Sequence, residues 1–464
     1  MSVIQGIYKK IENQIKKLLQ KKYFDEVYVF GIACIALLGW KFNGLVGMGV
    51  IILTATIMIF ITKDLKYIIP NVIYIIYCIS SGFSNEHAPI PILILAGIFV
   101  IVLLIFTIRQ GIRLSKMHSL LGFVGLAIAN VLPILWTRSI PKAYSVFYFL
   151  FFANAAYLLI YVFFVNGIKK NSFKMLALTM SYLAILLAFE CALKVYELKD
   201  TKDSIFELWY YMGWGLCNEA GLMICFSLPF TFYLLAHKVS IRGMIFDNLK
   251  ILVSMAGLIL SNCRGAYLFG FLEVGFLYLA LLFCSKKPRT YQNLFFGYAI
   301  LILIGIVIFK DISIQIFEKA YDAVFKEGLD DNGRFDLWRI AYGQWNQTPL
   351  TRMLGPGICT YFDMRETAAG IQYTPVIFHS TFFETLAVGG VFGIACLSYH
   401  LYQKYKALAR CEFLFALTAG TAYLGVGIYG MIDNTYHMYY YMMALAVGMA
   451  AIDASRKEKE NILF

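Results

Sequence analysis

Apolar runs of about twenty residues recur along almost the whole chain, and they constrain the fold more than any other feature. The chain is 60% hydrophobic and 15% charged, with a mean hydropathy of +0.70, whereas soluble domains carry about 25% charged residues. A run of this length can cross a bilayer as a helix, because a helix satisfies its backbone hydrogen bonds internally. A β-barrel would need short alternating segments instead. The sequence therefore predicts an all-α polytopic membrane protein.

The apolar runs predict about fourteen transmembrane helices and divide the chain into five parts. The predicted spans are 24–42, 44–62, 65–83, 88–108, 117–137, 145–166, 174–193, 215–237, 247–263, 264–284, 291–309, 377–399, 413–433 and 435–452. The predicted parts are a basic segment at 1–23, eleven spans over 24–309, a polar loop at 310–376, three spans over 377–452 and a tail at 453–464.

Positive charge predicts that both chain ends face the cytoplasm. Residues 1–23 place lysines among apolar residues at helical spacing, which is typical of a surface-lying amphipathic helix or of a charged tail. With the N-terminus inside, every inside loop is basic, and the last of them holds Lys404, Lys406 and Arg410. The net charge of +12 is largely this bias, so we do not infer nucleic-acid binding. The 310–376 loop is then predicted to face outward.

The 310–376 loop is far longer than a connection between helices requires, since typical connections have about 4–6 residues. Long ordered loops are often lids or binding surfaces. Arg334 is predicted in the first turn of a short helix begun at Asp331 or Asn332, where a cation opposes the helix dipole. We therefore expect it to meet an anionic ligand or a nearby aspartate. Arg339 is a further solvated candidate.

Two more residues at predicted outer helix ends could carry chemistry. Arg264 lies between two apolar runs, and its guanidinium could bind phosphate oxygens in pairs or simply reach the membrane surface. His379 follows the polar loop, and its imidazole could accept a proton from a hydroxyl or serve as a packing residue. Glu384, five residues further on, is a possible partner for His379.

Several segments together resemble the O-antigen ligase and polymerase superfamily, bacterial membrane glycosyltransferases that act on undecaprenyl-diphosphate-linked glycans. The segments are SNCRGAYL at 261–268, GRFDLW at 333–338, GPGICTYF at 355–362 and FHSTFFETLAVGGVFG at 378–393. GLCNEAGLMICFSLP at 215–229 is also similar to the helix before the family's first motif. The resemblance covers roughly 215–400 and departs at Ser380, where the family most often has asparagine.

The resemblance implies a GT-C-like inverting glycosyltransferase that uses no nucleotide sugar, metal or other cofactor. The family's two functional arginines fall on Arg264 and Arg334, its histidine falls on His379, and a late acidic residue matches Asp433. The arginines, with Arg339 as a third candidate, would bind the diphosphate, and His379 would act on the acceptor hydroxyl. Possible supporting residues are Asn218, Glu384 and Asp433.

The sequence favours a polymerase of repeat units for O-antigen, capsule or exopolysaccharide in the bacterial cytoplasmic (inner) membrane. The number of spans and the usage rich in Ile, Lys, Phe and Tyr lean that way. A ligase that transfers a finished glycan to another acceptor is the alternative within the family. A lipid-linked glycan flippase is the alternative from another class, with Glu190, Glu219 and Glu273 as its ionisable residues. Expected partners are the lipid-linked donor and acceptor and membrane lipids, with a chain-length regulator and a flippase as further candidates.

Overall fold

The computed structural model describes most of the chain but leaves several segments outside the description. The described residues are 21, 23–81, 90–137, 140–169, 171–198, 210–213, 215–284, 288–308, 310, 314, 318, 333–358, 362–367, 370–375 and 377–455. The predicted N-terminal surface helix, most of the predicted loop before Gly333 and the end of the predicted tail therefore lie outside the described residues.

The first half of the chain forms seven described helices. Numbered in chain order, they are α1 (Phe24–Phe42), α2 (Gly44–Thr62), α3 (Ile69–Ser81), α4 (Ile90–Gln110), α5 (Leu120–Val131), α6 (Ile140–Gly167) and α7 (Phe173–Leu198). Short 3-10 turns at Leu65–Ile68, Leu114–Lys116 and Leu132–Trp136 extend the connections around α3, α4 and α5.

The second half adds nine described helices. Four follow one another closely: α8 (Cys217–His237), α9 (Ile241–Leu260), α10 (Arg264–Cys284) and α11 (Pro288–Ile308). Two short ones lie in the polar loop: α12 (Arg334–Trp345) and α13 (Pro349–Leu354). The last three are α14 (Thr381–Leu408), α15 (Phe413–Tyr429) and α16 (Tyr439–Ser455), with a 3-10 turn at Thr435–His437.

Seven helices in the described part of the chain are long and apolar enough to cross a membrane. They are Gly44–Thr62, Leu150–Gly167, Phe173–Leu198, Cys217–His237, Ile241–Leu260, Gly265–Cys284 and Thr381–Leu408. Shorter apolar helices accompany them, and each of the fourteen predicted spans overlaps a described helix. The chain is thus a mainly helical polytopic membrane protein, as predicted, whereas fourteen crossings and a GT-C fold stay predictions.

Two small antiparallel hairpins interrupt the helices. Strands β1 (Tyr211–Met212) and β2 (Gly215–Leu216) pair before α8, and β3 (Phe362–Thr367) and β4 (Gly370–Pro375) pair in the polar loop. The prediction of an all-α chain with only short helices in that loop is wrong for Phe362–Thr367 and Gly370–Pro375. The sequence misleads there because Met, Arg, Glu and Ala around the turn favour helix, and no Asn-Gly or Asp-Gly marks the hairpin.

The start of α9 and its end lie at opposite ends of the bundle. At the end where α1 begins, Glu26 contacts Lys250 at 3.3 Å and Lys238 at 3.4 Å, and Lys250 also contacts Asp247 at 3.2 Å. Lys238 lies before α9, and Lys250 lies midway along it. The other end of α9 leads directly into Arg264, so the candidate residues collect at the end away from this ion cluster.

Helix α14 reverses direction at Gly390. The backbone there has φ 60° and ψ −151°, and a Cβ at Gly390 would lie 2.5 Å from the backbone nitrogen of Gly355. A Cβ at Gly393 would lie 3.0 Å from the Thr385 carbonyl oxygen, although residues eight apart in a straight helix are about 12 Å apart. The predicted single span at 377–399 is therefore wrong in shape. The reversal leaves the start of α14 inside the bundle beside the end of α15.

Candidate active site

His379 and Asp433 meet where the start of α14 contacts the turn after α15. The His379 Nδ1 atom lies 3.6 Å from the Asp433 Oδ1 atom. Backbone hydrogen bonds hold the two segments together beside this contact. The Thr381 N–H donates to the carbonyl oxygens of Gly430 at 2.7 Å and Asp433 at 3.0 Å. Two segments distant in sequence therefore form one polar site.

The backbone of His379 adopts a left-handed conformation with φ 47°, which is uncommon for a residue other than glycine. The neighbouring Phe378 is held on both sides. Its N–H donates to Glu384 Oε2 at 3.0 Å, and its carbonyl accepts a bond from Trp338 Nε1 at 3.0 Å. Strained backbone persists only where its surroundings determine it, and it often marks a functional position. The imidazole itself is 48% exposed and so is open to a ligand.

Tyr429 connects the other candidate positions to this pair. Its hydroxyl donates to Asp433 Oδ2 at 3.4 Å and lies 3.2 Å from the sulfur of Cys263, the residue before Arg264. The guanidinium of Arg334 lies within electrostatic range of the same hydroxyl. Through Asp433, Cys263 and Arg334, Tyr429 therefore links positions 264, 334, 379 and 433.

Arg264 is the first residue of α10, as predicted for a break between two helices. The break is made by Ser261–Cys263, with Asn262 at φ 55°. A Cβ at Gly265 would lie 2.8 Å from the Tyr429 ring, so the glycine permits the close approach of α10 to α15. The side chain of Arg264 lies outside the described part of the structure.

Arg334 is the first residue of α12, and the residue before the helix is Gly333 at φ 77° rather than the aspartate or asparagine expected. Helix α12 packs on α14 through Trp338, whose ring stacks on Phe383 with centroids 5.2 Å apart and planes at 15°. This packing holds Arg334 near Tyr429. Arg339 instead contacts Asp336 at 2.8 Å, and both side chains are more than 70% exposed.

Glu219 and Glu384 lie near the site, and Asn218 precedes Glu219 in the chain. Glu219 lies within electrostatic range of Asp433 and accepts a bond from the Leu216 N–H at 3.0 Å. Asn218 is half-buried in the same first turn of α8. Glu384 lies within electrostatic range of His379.

The three glutamates expected for a transporter occupy different surroundings. Glu219 belongs to the site just described. Glu190 accepts a bond from the Gly213 N–H in the turn between β1 and β2. Glu273 is buried in α10 against Gly425 of α15.

Sequence reasoning missed Tyr429, gave Trp338 of the GRFDLW segment no role, and assigned Glu219 to another function. The chain has 32 tyrosines, so nothing in the sequence alone distinguishes Tyr429. The only local signal is its spacing of one helical turn before Asp433 at a predicted outer helix end.

The described helices and this polar site define a polytopic membrane protein with an ionisable site at one end of its bundle. Residues 249–398 match the family model described as O-antigen ligase. The match confirms, over this region, the resemblance to the O-antigen ligase and polymerase superfamily. It includes Arg264, Arg334 and His379 but ends before Asp433. No curated protein matches the chain.

Proposed function

We propose that this membrane enzyme of glycan assembly polymerises undecaprenyl-diphosphate-linked repeat units by inverting glycosyl transfer. The observation that carries the proposal is the grouping of positions 264, 334, 379 and 433 around Tyr429. The family match supports the same class of reaction. The site would face outward from the cytoplasmic membrane, with both chain ends in the cytoplasm.

In the proposed reaction, the oxygen of an acceptor hydroxyl forms a bond to the anomeric carbon of the donor. It attacks from the side opposite the leaving group, so the configuration inverts. The bond between the anomeric carbon and the diphosphate oxygen breaks, and its electron pair leaves with the lipid diphosphate. The hydroxyl proton passes to His379.

Arg264 and Arg334 would bind the diphosphate and neutralise the charge that develops on it. A guanidinium presents paired donors that match phosphate oxygens. Groups arranged in advance around a developing charge are often the largest contribution to catalysis. The arginines can provide this neutralisation without a metal ion. Arg339 would contribute less, because it is exposed and already contacts Asp336.

His379 would orient and deprotonate the acceptor. Its Nδ1 atom faces Asp433, which leaves Nε2 for the hydroxyl. A carboxylate on one ring nitrogen fixes the tautomer of the other. The 3.6 Å separation exceeds a hydrogen bond, and such contacts often tighten only when substrate is bound.

A ligase is the second candidate, because the matching family model is described as O-antigen ligase. The two can be separated with purified protein in nanodiscs and a lipid-linked repeat unit as the only glycan. A ladder of products indicates a polymerase. Transfer only after a different acceptor is added indicates a ligase. Absence of transfer under both conditions would contradict the proposal.

We expect Glu384→Ala to lower the transfer rate by about tenfold or more. The Phe378 N–H then loses a partly buried hydrogen bond worth roughly 1–3 kcal/mol, and His379 can leave its strained conformation. Glu384→Gln keeps an acceptor oxygen and should retain most of the activity. The measurement is the initial rate of both variants under saturating donor. Equal rates for Ala and wild type would mean that Glu384 does not hold the His379 backbone.

An epitope tag inserted between Thr367 and Gly370, the paired ends of β3 and β4, should be accessible to antibody on intact spheroplasts. A tag after Lys459 should become accessible only after the membrane is permeabilised. The basis is the bias of Lys and Arg toward inside loops. The reverse pattern would overturn the proposed outward orientation of the site.

A further inference from the structure

Lys404 is completely buried in the described bundle, although the sequence places it among the basic residues of an inside loop. It lies near the end of α14 and is 0% exposed. Its ammonium nitrogen donates to the Tyr436 hydroxyl at 2.7 Å. The rings of Tyr405, Tyr423 and Tyr436 lie 4.8, 5.2 and 5.4 Å from the same nitrogen. Among the described residues, no carboxylate lies within 4 Å of it.

A buried lysine is a costly way to stabilise a helix bundle. Burying an ammonium inside a membrane protein is unfavourable, and contacts with aromatic faces and one hydroxyl offset only part of the cost. Replacing a buried charge by an apolar side chain of similar volume is often neutral or stabilising. The charge therefore calls for a role other than holding the bundle together.

The Lys404 contact leads directly to the candidate site. Tyr436 follows Thr435, whose Oγ1 lies 3.3 Å from Thr381 Oγ1. The Thr381 N–H donates to the carbonyls of Gly430 and Asp433. Lys404 thus contacts, through Tyr436, the turn that carries Asp433, which faces His379.

His400 packs against the same tyrosine, one helical turn before Lys404. It is 2% exposed, and its ring meets the Tyr436 ring edge-on with centroids 5.6 Å apart. The Tyr436 side chain is therefore fixed by a hydrogen bond at its hydroxyl and by a ring contact along its side. Both contacts come from the part of α14 beyond the reversal at Gly390.

We propose that Lys404 and Tyr436 form a buried positioning pair that holds the 430–437 turn, and with it Asp433, in place beneath His379. The role in catalysis rests on the proposed function, whereas the role in holding the turn does not. Lys404 acts through Tyr436 and does not contact the substrate.

The test compares Lys404→Met with Lys406→Met, an exposed lysine two residues later in the same helix. Methionine fits among aromatic rings, so Lys404→Met should insert normally and keep or raise its Tm in nanodiscs. Amide hydrogen exchange across 430–438 should be about tenfold faster than in wild type, because the turn can open locally. Lys406→Met should match wild type in both measurements. Neither measurement requires substrate.

With a lipid-linked donor, Lys404→Met should lower kcat about tenfold and leave the donor KM within about twofold, as expected for lost positioning rather than lost binding. Tyr436→Phe should have the same effect, and the double variant should be no worse than either single one. Unchanged exchange across 430–438 would overturn the proposal, and so would a fall in Tm with an unchanged kcat per folded molecule. If wild type transfers no glycan but exchange accelerates as expected, the proposed function fails and the holding of the turn by the pair stands.

Discussion

Arg334→Ala is expected to reduce polymer formation by about 10²–10³-fold, the loss typical of removing one preorganised group that stabilises developing charge. The protein should still fold, because Arg334 lies at the first position of α12, where a cation is unfavourable for the helix dipole. Arg334→Lys should recover little, since an ammonium cannot make the bidentate contact. Arg264→Ala and Arg264→Lys should show the same losses as the corresponding Arg334 variants. The measurement is the rate of product formation per folded enzyme in nanodiscs.

Two further arginines of the polar loop provide comparisons. Arg352 is exposed on α13, so Arg352→Ala should keep the wild-type rate. Arg339→Ala should cost much less than Arg334→Ala, because exposed ion pairs such as that with Asp336 contribute only about 0–1 kcal/mol. Normal polymer from Arg264→Lys and Arg334→Lys would show that these residues serve topology or helix-end anchoring and not the diphosphate.

Replacing His379 should slow transfer by about 10²–10⁴-fold, the usual contribution of a general acid or base, and should leave donor binding largely intact. The choice of residue matters because φ is 47° at this position. His379→Gly removes the imidazole, and glycine adopts a positive φ without strain. In His379→Ala the positive φ stays strained, so the backbone can also shift to another conformation. The glycine variant is therefore the cleaner measure of the imidazole alone.

His379→Gln separates orientation from proton transfer, since an amide can hydrogen-bond but cannot take the proton. Near-normal rates from this variant would remove the general base and leave only positioning. Failure of the Gly variant to bind donor would assign His379 to the diphosphate. A matched control is His237→Gln, because His237 lies at the far end of α8 and contacts Glu412 at 3.2 Å.

Helix positions were predictable from the sequence because long apolar runs have few other stable structures in a membrane. Their shape was not. The Gly389-Gly390 pair in α14 permits a reversal, but only the packing of Gly355 against Gly390 shows that one occurs. The β3–β4 hairpin was missed because the residues at the end of β3 favour helix locally and the two strands pair only with each other.

The candidate site was predictable only in part. The motifs indicated Arg264, Arg334 and His379, and the structure brings their backbones or side chains near Tyr429, while their roles stay predictions. Tyr429 and the role of Trp338 could not be identified beforehand, because their importance comes from contacts with residues distant in sequence. Lys404 was wrongly assigned to an inside loop for a related reason. The distribution of Lys and Arg along the sequence cannot distinguish a lysine in a loop from one whose side chain is buried in the bundle.

The most direct test of glycosyl transfer from a lipid diphosphate is to count the lipid diphosphate released for each glycosidic bond formed. Purified wild-type protein in nanodiscs, supplied with a lipid-linked repeat unit, should release one undecaprenyl diphosphate per new linkage, with inverted anomeric configuration. Arg334→Ala should suppress both products together. Linkages formed without release of the lipid diphosphate, or equal yields from wild type and Arg334→Ala, would contradict the account.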